Sequence, residues 1–119
     1  MTVHVFGIPN CSTVKKSLAW FDAQGIEALF VNYRTTPPNR QTIAGWVESL
    51  GTKALKNTSG GSYRALSDEK HEWSDARWID AFAQDPMLIK RPVLVRSGTA
   101  IQAGFRGTHE ELLGRFKAQ

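Results

Sequence analysis

The fold is decided by the segment Gly7-Ile8-Pro9-Asn10-Cys11-Ser12-Thr13-Val14-Lys15-Lys16. Before it lies an apolar run, residues 3–6, that is typical of a strand, and after it apolar residues recur at helical spacing. The proline and asparagine before the cysteine break the strand, and the serine and threonine after it favour a helix start. The sequence therefore predicts that the cysteine lies in a tight turn between a strand and a helix.

This turn gives Cys11, the only cysteine of the chain, a distinctive environment. Free backbone N–H groups and the positive end of the helix dipole favour a thiolate there and lower the thiol pKa. Lys15 and Lys16, one turn further on, add positive charge. The alternative is a small buried hydrophobic residue, as lone cysteines often are. Local chemistry leaves both interpretations open.

Composition limits the class of protein. The chain has 119 residues with 41% apolar content, which predicts one globular domain over residues 1–119. The formal net charge is +4, but the charges are interspersed with no basic run, which is weak evidence for nucleic acid, and a basic face for a small anion explains the excess equally well. We therefore expect no nucleic-acid partner, and by default a monomer.

One cysteine excludes an internal disulfide and a metal site built on paired cysteines, and it fits a reducing compartment. His4, His71 and His109 follow no metal-ligand spacing, so no metal is expected. The first apolar run is too short for a signal peptide, and none approaches the roughly 20 residues that span a bilayer. These features predict a soluble, cytoplasmic protein without a membrane partner.

The remaining pattern predicts strands at 3–6, 28–33, 93–95 and 99–103, and helices at 13–24, 40–50, 74–84 and from Thr108 onwards. Asn39 or Pro38 should begin the second of these helices and Gly51 should end it. The first two strands should be parallel and the last two should form a hairpin. The polar stretch 57–62 is predicted to be a surface loop, either a flexible connection or a ligand-binding segment.

A cysteine at the first strand-to-helix turn, a proline just before the third strand and a terminal β-β-α unit together resemble the thioredoxin or glutaredoxin fold. Closer still, the segments 7–16, 32–34 and 89–93 resemble the ArsC/Spx/YffB family in order and spacing, most of all its YffB-type, ArsC-like members. The resemblance implies that Pro92 is cis and lies beside Cys11. It also implies a four-stranded mixed sheet flanked by helices, with a helical insertion at about 38–86.

The family's archetype is an arsenate reductase coupled to glutaredoxin, whose single N-terminal cysteine attacks arsenate before glutathione resolves the adduct. This chain departs from that pattern. The reductases carry a histidine where Gly7 stands and an arginine where Lys15 stands. Two further arginines fall near Asn57 and near 103–104, so only Arg91 is retained. An arginine holds a tetrahedral oxyanion through two parallel bonds that lysine or asparagine does not supply.

The resemblance thus implies an oxidoreductase: a glutathione-dependent thiol reductase in which the nucleophile Cys11 is resolved by external glutathione. Glutaredoxin and a small-molecule or protein disulfide are the implied partners. The implied binding residues are Asn10, Ser12, Thr13, Lys15, Asn57, Lys90, Arg91 and Pro92, with Arg64 as a weaker rim residue. One alternative is an arsenate reductase. The other is a Spx-like, RNA polymerase-binding regulator, although Val14 replaces the second cysteine of the Spx switch.

Overall fold

The computed structural model describes residues 2–117, in which a β-α-β unit is followed by a run of helices and then by a terminal hairpin and helix. The strands are β1 (Val3–Gly7), β2 (Ala28–Asn32), β3 (Val93–Arg96) and β4 (Thr99–Ala103). The helices are α1 (Ser12–Ala23), α2 (Arg40–Leu50), α3 (Thr52–Leu55), α4 (Gly61–Arg64), α5 (Asp75–Gln84) and α6 (His109–Phe116). Two 3₁₀-helices, Asp68–Glu72 and Pro86–Leu88, flank α5.

The strands form one mixed sheet in the order β2-β1-β3-β4. β1 pairs with β2 in parallel, and it pairs with β3 in antiparallel orientation. β3 and β4 form the predicted hairpin, whose turn at Ser97 and Gly98 has positive φ angles of 53° and 78°. The predicted mixed four-stranded sheet is confirmed, and β1, the strand that leads to Cys11, lies in its interior.

Alternate residues of the strands face two different cores, because successive side chains of a strand point to opposite sides. On one side Val3, Val5 and Leu94 pack with residues of α1 and α6. On the other side Val93 and Val95 pack with the helices between β2 and β3, chiefly through Trp46 of α2 and its neighbours. Helices therefore cover both faces of the sheet.

The helix ends follow the local sequence. Asn39 caps α2 by accepting a 2.8 Å hydrogen bond from the Thr42 backbone N–H, and Gly51 ends it with a φ of +83°. Ser74 caps α5, and Trp73 before it packs edge-on against Trp78 with ring centroids 4.8 Å apart. The predicted bounds hold to within a residue or two.

The segment between α2 and α5 differs in part from the prediction. Residues 61–62, which composition placed in a loop, open the short helix α4. Lys70 is 7% exposed, with its Nζ 4.8 Å from the Tyr63 ring centroid and 3.3 Å from the Leu66 carbonyl oxygen. Tyr63 stacks on Trp78 at 6.1 Å, so the aromatic rings organise a stretch whose polarity suggested no packing. None of the helices within 2–117 is long and apolar enough to cross a membrane.

Candidate active site

Cys11 stands at the N-cap position of α1, where the chain leaves β1. Its backbone is extended, with φ −111° and ψ 120°, and its carbonyl oxygen accepts a 3.0 Å hydrogen bond from the Lys15 N–H. The side chain is half-buried and beside the backbone N–H groups of Thr13 and Val14. The predicted strand-to-helix turn is therefore observed, and the thiol faces the positive end of a helix.

Several groups around the Cys11 thiol shift its pKa in opposite directions. Partial burial alone would raise the pKa of Cys11. The Val14 and Thr13 backbone N–H groups and then the Arg91 guanidinium act in the opposite sense, and together they outweigh burial, so the pKa lies below its ordinary value. A lowered pKa increases the fraction of nucleophilic thiolate near neutral pH.

Arg91 approaches the cysteine from the other side of the turn. The Arg91–Pro92 peptide bond is cis, as the resemblance implied, and Pro92 is buried directly before β3. Burial opposes the charge of Arg91, but interactions with Tyr33 and Cys11 raise the pKa of its guanidinium further. Its Nη1 atom is buried without a hydrogen-bond partner in the described part of the chain. A buried donor of this kind is suited to an anion that enters the site.

Tyr33 fixes the backbone that precedes Arg91. It is fully buried directly after β2, and its hydroxyl donates a 3.0 Å hydrogen bond to the Ile89 carbonyl oxygen. Burial raises the pKa of Tyr33 despite the opposing effect of Arg91, so the hydroxyl stays protonated. Tyr33 therefore joins the end of β2 to the segment that carries the cis peptide bond.

The helices between β2 and β3 hold the same segment. The Asn57 N–H donates to the Leu88 carbonyl at 2.8 Å, and the Lys90 N–H donates to the Leu55 carbonyl at 2.7 Å. The Asn57 side-chain amide lies 3.5 Å from the Met87 carbonyl oxygen. Asn57 is thus attached to the chain leading into Arg91.

The loop after β4 closes the opposite side of the cis proline. The Gly104 N–H donates to the Pro92 carbonyl at 2.8 Å. A Cβ atom at Gly104 would lie 3.2 Å from Cδ of Lys90, so the aliphatic part of Lys90 covers this glycine. Lys90 therefore lies beside the cis-proline segment as well.

A cavity of about 370 Å³ adjoins the cysteine turn on its other flank. Its lining comes from the turn itself and from the chain just after β2: Ile8, Pro9, Asn10, Asn32, Arg34 and Thr35. Among residues 2–117, no group of three or more His, Cys, Asp or Glu side chains could hold a metal ion.

These features have counterparts in known proteins. A sequence profile of the ArsC family matches residues 6–111, which include the cysteine turn, the cis proline and the hairpin. The chain belongs to the ArsC family. It is 30% identical over 110 residues to the uncharacterized protein YusI of Bacillus subtilis, covering 89% of this chain and 92% of YusI. It is 28% identical over 95 residues to the arsenate reductase of Escherichia coli, covering 78% of this chain and 67% of that enzyme.

The fold of this ArsC-family chain also matches solved structures. The YffB protein superimposes with a TM-score of 0.84 at 26% identity, covering 96% of this chain and 98% of YffB. The expected membership and the thioredoxin-like, ArsC-type fold are both confirmed.

The structure brings most of the expected site residues together. Cys11, Thr13 and Arg91 meet at the turn, and Pro92 follows Arg91 through the cis peptide bond. Asn57 and Lys90 border the cis-proline segment. Asn10 lines the adjoining cavity. Ser12 and Lys15 are exposed on the first turn of α1.

Three residues of this ArsC-family site were missed as functional candidates. Val14 acts through its backbone N–H, which no side-chain pattern reveals. Tyr33 and Arg34 follow β2, and two signals pointed to them: their place in the family-like segment 32–34 and their position at the carboxyl end of a strand parallel to β1.

Proposed function

We propose that this protein is a thiol–disulfide oxidoreductase that reduces disulfides through Cys11 and uses glutathione as the resolving thiol. The observation that carries the proposal is the pairing of a thiolate-stabilising helix start with the Arg91 guanidinium in a chain without a second cysteine. A mixed disulfide on Cys11 has no internal partner to resolve it, so an external thiol must do so.

The reaction has two balanced exchange steps. The Cys11 thiolate attacks the glutathione sulfur of a glutathione–thiol mixed disulfide, forming a Cys11–glutathione disulfide, while the second thiol leaves with the electron pair of the broken bond. A thiolate of free glutathione then attacks the glutathione sulfur of that adduct. Oxidised glutathione forms and the Cys11 thiolate is restored, so one glutathione is oxidised for each thiol released.

In this proposal Arg91 has two functions. It stabilises the Cys11 thiolate before attack, and its unpartnered Nη1 binds a carboxylate of glutathione. Thr13 and Val14 stabilise the sulfur through backbone N–H groups, whether it acts as nucleophile or as leaving group. Asn57 and Lys90 act indirectly, because they hold or cover the backbone beside Arg91.

The test compares the wild type with Cys11→Ser in a glutathione-coupled assay with a glutathione mixed disulfide. We expect one glutathione adduct per wild-type chain by intact mass after exposure to oxidised glutathione, and neither adduct nor turnover in Cys11→Ser. Lys53→Gln, an exposed change in α3, serves as the control and should match the wild type. Turnover that persists in Cys11→Ser would refute the proposal.

Arsenate reduction is a second candidate. It is supported by the similarity to the Escherichia coli arsenate reductase and by the buried, unpartnered Nη1 of Arg91, which suits an oxyanion as well as a carboxylate. Arsenite formation by wild type and Cys11→Ser, with glutathione and glutaredoxin present, tests it. A kcat/KM for arsenate above that for mixed disulfides would make arsenate the preferred substrate. Absence of both activities would favour the partner-binding alternative.

A further inference from the structure

The cavity beside the cysteine turn lies opposite Arg91. The sheet order is β2-β1-β3, so Cys11, which follows β1, lies between the end of β2 and the start of β3. Arg91 approaches from the β3 side and Arg34 lines the cavity on the β2 side. The turn that carries Cys11 therefore has one arginine beside the thiol, from the segment before β3, and a second arginine in the cavity on its β2 side. The two halves of a disulfide substrate extend in opposite directions from the sulfur–sulfur bond, so one half could lie on the Arg91 side of the turn and the other on the Arg34 side.

The side chains around this cavity favour an anion. Arg34 is exposed, and no carboxylate of residues 2–117 lies within 4 Å of its guanidinium. The ion pair found among these residues joins Arg40 to Asp80. Asn32 accepts a 3.1 Å hydrogen bond from the Arg34 N–H through Oδ1, which leaves its amide nitrogen to donate. Asn10 contributes a second amide, and the lining contains no Asp or Glu. A guanidinium beside amide donors matches a carboxylate.

Two larger cavities are less suited to this role. One, of about 540 Å³, is lined by Asp68, Glu69, Glu72 and Trp73 and would repel an anion. The other, of about 430 Å³, lies between β4 and α3, and its Arg115 donates a 2.7 Å hydrogen bond to the Gln102 side-chain oxygen. Neither cavity is lined by a residue of the cysteine turn.

We propose that the cavity formed by Ile8–Asn10 and 32–35 binds the leaving half of the disulfide substrate, and that this half carries a carboxylate held by Arg34. The inference rests on the proposed thiol-reductase function and adds the substrate class. The substrates are mixed disulfides between glutathione and a second thiol that carries a carboxylate, called the acidic thiol below. When Cys11 attacks the glutathione sulfur, the acidic thiol leaves as a thiolate from the Arg34 side and takes a proton from water. Glutathione stays on the Arg91 side.

The test uses three glutathione mixed disulfides whose second half is 3-mercaptopropionate, 2-mercaptoethanol or cysteamine. They are close in size and carry a negative, neutral or positive terminus. We expect the wild type to prefer the first substrate. Arg34→Gln should lower the ratio of kcat/KM for the acidic over the neutral substrate about two- to fivefold, because Arg34 is exposed and solvent screens its ion pair with the carboxylate. Lys53→Gln, which removes the same charge elsewhere, should keep the wild-type ratio.

A binding measurement separates this inference from the proposed function. The acidic mixed disulfide is titrated into ¹⁵N-labelled Cys11→Ser protein, and the amide signals of Asn10, Asn32 and Arg34 should shift, but not in Cys11→Ser/Arg34→Gln. Turnover with an unchanged ratio in Arg34→Gln, or shifts that persist in the double variant, would overturn the inference alone. Shifts that depend on Arg34, observed together with no turnover by the wild type, would refute the proposed reductase function but would still show that Arg34 binds a carboxylate. If neither wild-type turnover nor Arg34-dependent shifts were observed, the inference and the proposed function would both be overturned.

Discussion

At the scale of the single residue, Cys11 combines two opposing influences. Its half-buried position would by itself hold the thiol neutral, yet the Val14 and Thr13 N–H groups and Arg91 shift the balance towards the thiolate. The ionisation of the thiol therefore depends on neighbouring groups, two of which are backbone N–H groups.

Because the pKa of Cys11 is lower in the folded than in the unfolded chain, ionisation stabilises the folded state. This contribution is fully present above the unfolded-state pKa of about 8.5 and is lost as pH falls through the lowered folded value. We therefore expect the free energy of unfolding of the wild type, relative to Cys11→Ser, to rise with pH between those two values. Urea unfolding at several pH values measures it, and a flat difference would contradict the lowered pKa.

The same shift predicts the alkylation profile. The rate of iodoacetamide reaction should titrate below pH 8.5, and in Arg91→Gln the midpoint should move up because a positive neighbour is lost. The kcat/KM for a glutathione mixed disulfide should fall about 10- to 100-fold in Arg91→Gln, as expected for a charge-assisted hydrogen bond. Arg77→Gln, an exposed arginine on α5, is the matched control. An unchanged midpoint would remove Arg91 from the site.

Gly7 shows how one missing side chain sets the geometry of the turn. It is buried at the end of β1, and a Cβ there would lie 2.6 Å from Cγ2 of Val14. We expect Gly7→Ala to force β1 and α1 apart and to lower the free energy of unfolding by about 1–3 kcal/mol. Gly45→Ala, on the open side of α2, should not destabilise. Chemical denaturation of both variants measures the two free energies of unfolding. A Gly7→Ala variant as stable as the wild type would show that the Val14 side chain can move aside at no cost.

At the scale of the element, helix ends are set by single local contacts. The α2 helix begins where Asn39 accepts a hydrogen bond from the Thr42 N–H, and α6 begins with a reciprocal pair between Thr108 and Glu111. Because these contacts span three residues, they could be predicted from sequence.

For α2 we expect Asn39→Ala to lower the free energy of unfolding by about 0.5–2 kcal/mol, since one of the first N–H groups loses its acceptor. Gln41→Ala, exposed in the first turn of the same helix, should change stability by less than about 0.5 kcal/mol. Thermal unfolding of the two variants gives the comparison. Equal effects would mean that the cap contributes nothing.

At the scale of the whole molecule, the site is assembled from three distant segments. Cys11 follows β1, Tyr33 follows β2, and Arg91 precedes β3 after the intervening helices. Tyr33 bonds to the Ile89 carbonyl, while Leu55 and Asn57 bond to the other side of the same segment. The intervening helices therefore help to position Arg91.

We expect Tyr33→Phe to lower the free energy of unfolding by about 1–3 kcal/mol, because the buried Ile89 carbonyl would lose its donor. Since Arg91 also interacts with Tyr33, the iodoacetamide reaction of Cys11 at neutral pH should slow. Tyr63→Phe, which keeps the ring stacked on Trp78, is the control. Stability loss without any change in Cys11 reactivity would limit Tyr33 to a structural role.

The element pattern was predicted largely from sequence, because it depends on short-range signals. Helix 40–50 and strand 99–103 were placed at their observed bounds, and the Gly51 stop was recognised from residue type. Asn39 was one of two candidates for the start of the helix, and the structure decides for it. The burial of Lys70 was not foreseen, since its contacts with Tyr63 and Leu66 depend on how a polar segment folds back on itself. The cis bond at Pro92 was expected only from the family resemblance.

The sequence by itself determined that the single thiol lies at a strand-to-helix turn and that no second cysteine can resolve it, because turn signals are local and cysteines can be counted. Only the tertiary structure decided which groups surround that thiol. Sheet order placed the ends of β2 and β3 on either side of Cys11, bringing Arg91 and the Arg34 cavity to opposite flanks. The physical reason is that strand pairing joins residues far apart in the chain, and no local pattern records which strands become neighbours.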